Sequence, residues 1–332
     1  MNLRMRKLFT HLLITLALLS LAATATAAAG HKHNDEAKTA IIIAGFGTTV
    51  PRALGAVTNI NDRVRQAFPE TEVRLTFTSN IIRSIWGKRR AEAQKWLDQG
   101  VPEEILYVEN IISVIGDLRE EGYRNIIVQP THMFYMEQSH DLNSYVRAFA
   151  SINTMKTRWR PFDKVVMGRP ALGMPGDRYS YHDDIATVVQ TLAADAEQAR
   201  REDAVLVYMG HGNEHWSTGI YAETQKKMKE EYPDVETVIG VVEGNPTIDD
   251  VLEQLKTTKR KKVILKPFMI VAGDHAVNDM AGPEEDSWLS LLQKNGYEVE
   301  TVLEGLGRNN AFADIFVNHI KDVAADHNLE LR

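Results

Sequence analysis

The chain has 332 residues, 45 acidic against 38 basic side chains for a formal net charge of −7, and no cysteine. That length suffices for one large or two medium α/β domains, and the dispersed negative charge, with no basic stripe, argues against nucleic acid as a partner. Without cysteine there are no disulfides and no thiolate metal sites, so any metal is met by imidazole, carboxylate or carbonyl.

The first element is a basic start, Arg4, Arg6 and Lys7, followed by an apolar run at residues 12–19 and the small-residue stretch A-T-A-T-A-A-A-G. This pattern predicts a cleavable signal peptide over residues 1–28. The run is well short of the roughly 20 residues that span a bilayer, so the expectation is a periplasmic mature protein with no membrane span. Its start, with His31 and His33, reads as a solvated leader.

Short runs rich in Val and Ile then alternate with longer amphipathic stretches, the pattern of a parallel sheet covered by helices. The runs are 40–44, 72–77, 125–128, 164–167, 204–208, 235–242, 262–265 and 298–302, with helices predicted over 52–67, 108–121, 183–201 and 248–258. They fall into two sets of four that share a plan. The first run of each set enters a glycine turn (I-I-I-A-G-F-G-T-T; V-L-V-Y-M-G-H-G-N-E). The third is followed by proline and a Met-containing aromatic loop, and the fourth by a Leu-Gly turn. Such self-similarity points to duplication, with α/β domains over 38–200 and 201–332 joined near 197–203. In open parallel sheets ligands bind beyond the carboxyl ends of the strands, which gathers residues 45–49, 131–140, 210–215, 243–246 and 272–279 around a cleft between the halves.

Within that set, His211 stands between two glycines at a strand end, and His275 follows Gly273-Asp274 at another. Glycine lets the backbone turn sharply and leaves an imidazole uncovered. Glu243 ends the strand placed between or beside theirs, so His211, Glu243 and His275 form a candidate two-histidine, one-carboxylate set for a divalent first-row metal. Asp274 and Glu214 are candidates for orienting the ring nitrogens. The turn at Phe46, Gly47 and Thr48, with Ser79 and Arg83 after the second strand, reads as a seat for an anion or a carboxylate-bearing ligand. It lacks a Walker lysine. The loop T-H-M-F-Y-M-E-Q-S-H reads as an apolar wall for a flat ligand, contributed by Met136. His132 and His140 are candidate haem ligands, and the same Met-rich loop is a candidate homo-oligomer interface.

G-F-G-T, T-S-N-I-I-R, G-H-G, V-E-G-N-P and above all V-A-G-D-H-A-V-N-D-M followed by D-S-W resemble the CbiK-type anaerobic cobaltochelatases, over about residues 39–319. The resemblance implies two pseudo-symmetric flavodoxin-like domains with parallel four-stranded sheets, a ferrochelatase-like α/β class, and a tetrapyrrole cleft between them. It implies ATP-independent insertion of Co²⁺, or Fe²⁺, into sirohydrochlorin. By resemblance His211 and His275 are the catalytic histidines and Glu243 an acidic residue at the metal; a second family carboxylate falls near residues 136–140, where Glu137, Gln138 and His140 are the alternatives. A signal peptide sits awkwardly with a cytoplasmic tetrapyrrole supply, so the alternative expectation is a periplasmic haem or metal carrier on a chelatase scaffold.

Overall fold

A computed structural model describes residues 37–332; the expected signal peptide and the leader histidines at 31 and 33 lie outside the described residues. Each of the eight β-rich runs forms a strand: β1 Thr39–Gly45, β2 Glu72–Phe77, β3 Asn125–Thr131, β4 Lys164–Met167, β5 Ala204–Gly212, β6 Thr237–Glu243, β7 Lys262–Pro267 and β8 Glu298–Thr301. They pair into two four-stranded sheets of identical order, β2-β1-β3-β4 and β6-β5-β7-β8. Every pairing within them is parallel. Parallel strands need crossovers on the sheet faces, so the central strands are apolar on both sides. Along β1, Ile41 and Ile43 face one core, while Ala40, Ile42 and Ala44 face another.

The helices depart from the sequence expectation in one respect that matters. The stretch predicted as one helix over 183–201 is two, Tyr181–Thr191 and Ala193–Arg201, and both serve the second sheet. Asp195 accepts hydrogen bonds from Tyr208 of β5 and Lys266 of β7, each at 2.5 Å, and Tyr232 donates to the Val189 carbonyl at 3.2 Å. In exchange the final helix, Asn310–Asp326, packs on helix Leu54–Ala67 and on β3 of the first sheet, where Arg63 grips Asp314 through two 2.7 Å bonds. The inner faces of both sheets therefore share one apolar core. Ile41, Ile43, Leu206, Ile264, Phe312 and Phe316 all belong to it, and residues 37–332 pack as one compact unit.

A buried ionic cluster fastens this exchange. Arg169, on the segment after β4, donates to both oxygens of Asp184 at 2.7 and 3.0 Å and to Asp322 at 2.8 Å. His319 contributes ring-nitrogen contacts to Asp184 at 3.3 Å and to the Arg169 carbonyl at 3.0 Å. Burial pushes the Asp184 carboxyl up, but the bonds from His319 and Arg169 outweigh it and hold the group below its ordinary pKa. Among the described residues no helix is long and apolar enough to cross a membrane.

Candidate active site

The site begins at the end of β5, where Gly210-His211-Gly212 runs between two close neighbours. A side chain at Gly210 would meet the Tyr221 ring at 2.4 Å, and one at Gly212, whose φ is +76°, would meet the Glu243 carbonyl oxygen at 1.8 Å. Glycine is thus required on both sides of the histidine, by close approach at 210 and by a left-handed backbone as well at 212. The parallel register sets Gly212 against Glu243, which brings the Glu243 side chain next to the His211 ring. Tyr221 braces the turn. Its hydroxyl accepts the Gly212 N–H at 3.1 Å, and Phe134 and Phe268 pack edge-on against its ring at 5.4 and 6.1 Å.

His275 reaches the same place from the loop after β7. Its ring meets that of His211 with centroids 4.7 Å apart and planes nearly perpendicular, at 87°. Both side chains are a little over one-third exposed, as is Glu243, whose Oε2 stands 3.8 Å from His211 Nδ1. Of the two placements the sequence left open for the strand of Glu243, the structure has it beside the histidine strands: β5 is central, so His211 has Glu243 on one side and the segment after β7 on the other. The sequence reading is corrected on the orienting partners. His211 Nδ1 lies 3.0 Å from the Gly212 carbonyl and His275 Nδ1 lies 2.5 Å from Asp279 Oδ2. Asp274 instead accepts from Asn278 at 3.0 Å, and Glu214 is exposed on the loop beyond. Both acceptors engage Nδ1, which leaves each Nε2 as the nitrogen with a lone pair to offer. Among the described residues no group of three or more His, Asp or Glu is closed around a metal position. The histidine pair is assembled, and Glu243 lies beside it on the Nδ1 edge of His211.

The first half contributes the turn 45–49. Gly47 has φ +92°, and a side chain there would strike the Phe77 ring at 2.6 Å. Thr48 is buried: its hydroxyl accepts the Val50 N–H at 3.2 Å and its carbonyl accepts the Trp86 indole N–H at 2.9 Å. The turn lies against the loop that carries His275, since a Cβ on Gly273 would sit 3.4 Å from Thr48 Oγ1. Ser79 is buried as the N-cap of helix Asn80–Arg89, accepting the Ile82 N–H. Arg83, read from the sequence as a carboxylate ligand, donates instead to the carbonyls of Phe77 and Thr78 and to Asn80 Oδ1. Burial holds its pKa below the ordinary guanidinium value. The strand-end carbonyls occupy Nη1 and Asn80 occupies Nη2. Of this set Phe46 keeps the most open face, 44 % exposed.

In the loop 131–140 Met133 and Phe134 are buried and Met136 packs half-buried on the core, so the segment does not present a soft outer surface. His132 is buried too, with Nδ1 2.8 Å from Ser139 Oγ. Burial pushes its pKa down to about 4, which keeps the ring neutral, and it has no open side toward a haem. His140 is exposed and lies 5.8 Å from the Trp216 ring, which Tyr135 also meets at 6.3 Å. Trp216 and Tyr135 are rim residues that sequence reasoning missed. The signal was present in Trp216, five residues past His211, but only the fold brings Tyr135 of the other half to it.

A family model for the cobalt chelatase CbiK matches residues 39–325. The sirohydrochlorin cobaltochelatase CbiKC of Nitratidesulfovibrio vulgaris is 29% identical over 289 residues, 87% of this chain and 92% of its own. The sirohydrochlorin cobaltochelatase of Salmonella typhimurium is 26% identical over 285 residues, 85% of this chain and 95% of its own. The solved structure of SirB from Bacillus subtilis with Fe³⁺ superposes with a TM-score of 0.58 at 14% identity, covering 89% of this chain and all of that one. The cobalt complex of the sirohydrochlorin chelatase SirB from Bacillus subtilis subspecies spizizenii gives 0.53 at 13% identity over 88% and 97%. At those identities the two structures speak for the fold alone.

Proposed function

The chain belongs to the CbiK cobalt chelatase family, and from that premise we propose that it inserts Co²⁺ into sirohydrochlorin, without ATP, at the His211–His275 pair. The observation that carries this reading is the pair itself: two imidazoles in contact, one at the end of β5 and one on the helical turn after β7, each tied through Nδ1 to an acceptor and each with Nε2 left to act. The reaction is an exchange, Co²⁺ in and two pyrrole N–H protons out. The metal must shed water before it enters the ring, and ligation by two neutral nitrogens with open positions suits a cation that is to be handed on. Neutral imidazole also accepts protons near neutral pH.

In this reading Co²⁺ is a substrate held by His211 and His275, with Glu243 as the acidic residue beside the pair. Phe46, Gly47 and Met136, with Tyr135 and Trp216 added, face the macrocycle. Thr48, Ser79 and Arg83 act one step back by shaping the turn. Export rests on the basic and apolar residues of the first 28 positions, and fractionation of cells would test it.

Anaerobic mixing of the purified protein with sirohydrochlorin and Co²⁺ is the direct assay. The expected result is a change in the visible spectrum much faster than spontaneous insertion, unaffected by ATP and stopped by a chelator. Fe²⁺ in place of Co²⁺ measures metal preference. A rate no greater than the spontaneous one would sink the proposal.

A further inference from the structure

Four residues past His275, Asp279 has no part in the proposed exchange, yet it makes the shortest hydrogen-bond contact of the histidine pair. Residues Ala276–Met280 form a single π turn, a wider coil that recurs at functional positions because it re-aims side chains within an otherwise helical segment. It is held at both ends, by the Val277 N–H to the Gly273 carbonyl at 3.1 Å and the Gly282 N–H to the Asn278 carbonyl at 2.9 Å. Two side-chain pairs run across it in parallel: Asp274 with Asn278 at 3.0 Å and His275 with Asp279 at 2.5 Å. The first pair steadies the turn. The second acts on the imidazole that meets His211.

A carboxylate can only accept, so Asp279 fixes the proton on His275 Nδ1 and leaves the Nε2 lone pair free. A charged acceptor in that position also fixes ring orientation and makes the other nitrogen a stronger donor to a metal, the role that carboxylates play behind metal-bound histidines in general. The two histidines are not equivalent in this respect. His211 is held by the Gly212 carbonyl, a backbone group that the close approach of Glu243 locks in place. His275 sits at the start of the helical turn after β7 and depends on a side chain.

We propose that Asp279 is the positioning residue of His275, holding it in the Nδ1–H form with Nε2 presented for Co²⁺. This rests on the reading of His275 as a metal-holding residue. Asp279 is half exposed, so Asp279→Asn removes the charge with little loss of packing. The expected result is a Co²⁺ affinity, followed by the visible cobalt bands of protein without macrocycle, weaker by roughly 10–100-fold. The KM for Co²⁺ should rise in step while the KM for sirohydrochlorin stays put. In a His275→Ala background the same substitution should have no further effect, because Asp279 acts only through that ring. A Co²⁺ affinity within twofold of wild type in Asp279→Asn, with His275→Ala strongly impaired, overturns the positioning role alone. Unimpaired binding in His275→Ala overturns the underlying assignment of His275. An equal further loss in the His275→Ala background shows that Asp279 acts on the loop and not through the ring, which also overturns the inference.

Discussion

Replacing His211 or His275 by alanine is expected to slow cobalt insertion by about 10²–10⁴-fold, the range lost with a positioned proton acceptor or ligand, while leaving the fold intact. The two halves of that expectation have separate causes. Each ring is a little over one-third exposed, so truncation removes little apolar contact, and stability should stay within about 0.5 kcal/mol. Activity, by contrast, depends on both Nε2 atoms acting on one metal. The double variant should therefore be scarcely worse than either single one, because residues that act as a unit give strongly non-additive losses. Absorbance-monitored initial rates with fixed sirohydrochlorin and varied Co²⁺ measure this. Wild-type rates in either variant would remove that histidine from the reaction.

Arg169→Ala is expected to have the largest effect on stability, about 3–5 kcal/mol, although Arg169 touches none of the site residues. The guanidinium is 9% exposed and its partner Asp184 8% exposed, so deletion leaves a buried carboxylate that has lost its main counter-charge. It also parts Asp322 on the final helix from the segment after β4, the place where the covering helices exchange. The effect should depend on pH with a definite sign. Asp184 has a folded-state pKa held below its unfolded value, so its contribution is present above about pH 4 and is lost as pH falls through the lower, folded pKa. Urea unfolding of both proteins at neutral pH should show the full difference, and the gap should close toward acid. An equal gap at both pH values would place the energy elsewhere than in this charge cluster.

The strands were legible in the sequence because a parallel sheet buried on both faces writes itself as local apolar runs, and all eight runs are strands. The identical order of the two sheets was anticipated by matched turns after corresponding strands. The glycines around His211 were also informative, for a physical reason that the structure supplies: Tyr221 and the Glu243 carbonyl leave no room for a Cβ. What escaped was the docking of two helices and the choice of hydrogen-bond partner at two site residues. Helices Tyr181–Thr191 and Ala193–Arg201 carry an amphipathic pattern that says they cover a sheet, but not which one. Asp274 looked the natural partner of His275 because it is adjacent, whereas the π turn carries the next residue but three, Asp279, back to the ring. Arg83 looked like a free cation at a strand end, and the orphan carbonyls of Phe77 and Thr78 at that same strand end consume it.

The central claim is that His211 and His275 hold one metal ion between them. Cobalt K-edge absorption of the Co²⁺-loaded protein counts imidazole neighbours directly. The account predicts two imidazole nitrogens per cobalt in the wild type and one in either His211→Ala or His275→Ala. A spectrum with no imidazole scattering, or one that neither substitution changes, would contradict it.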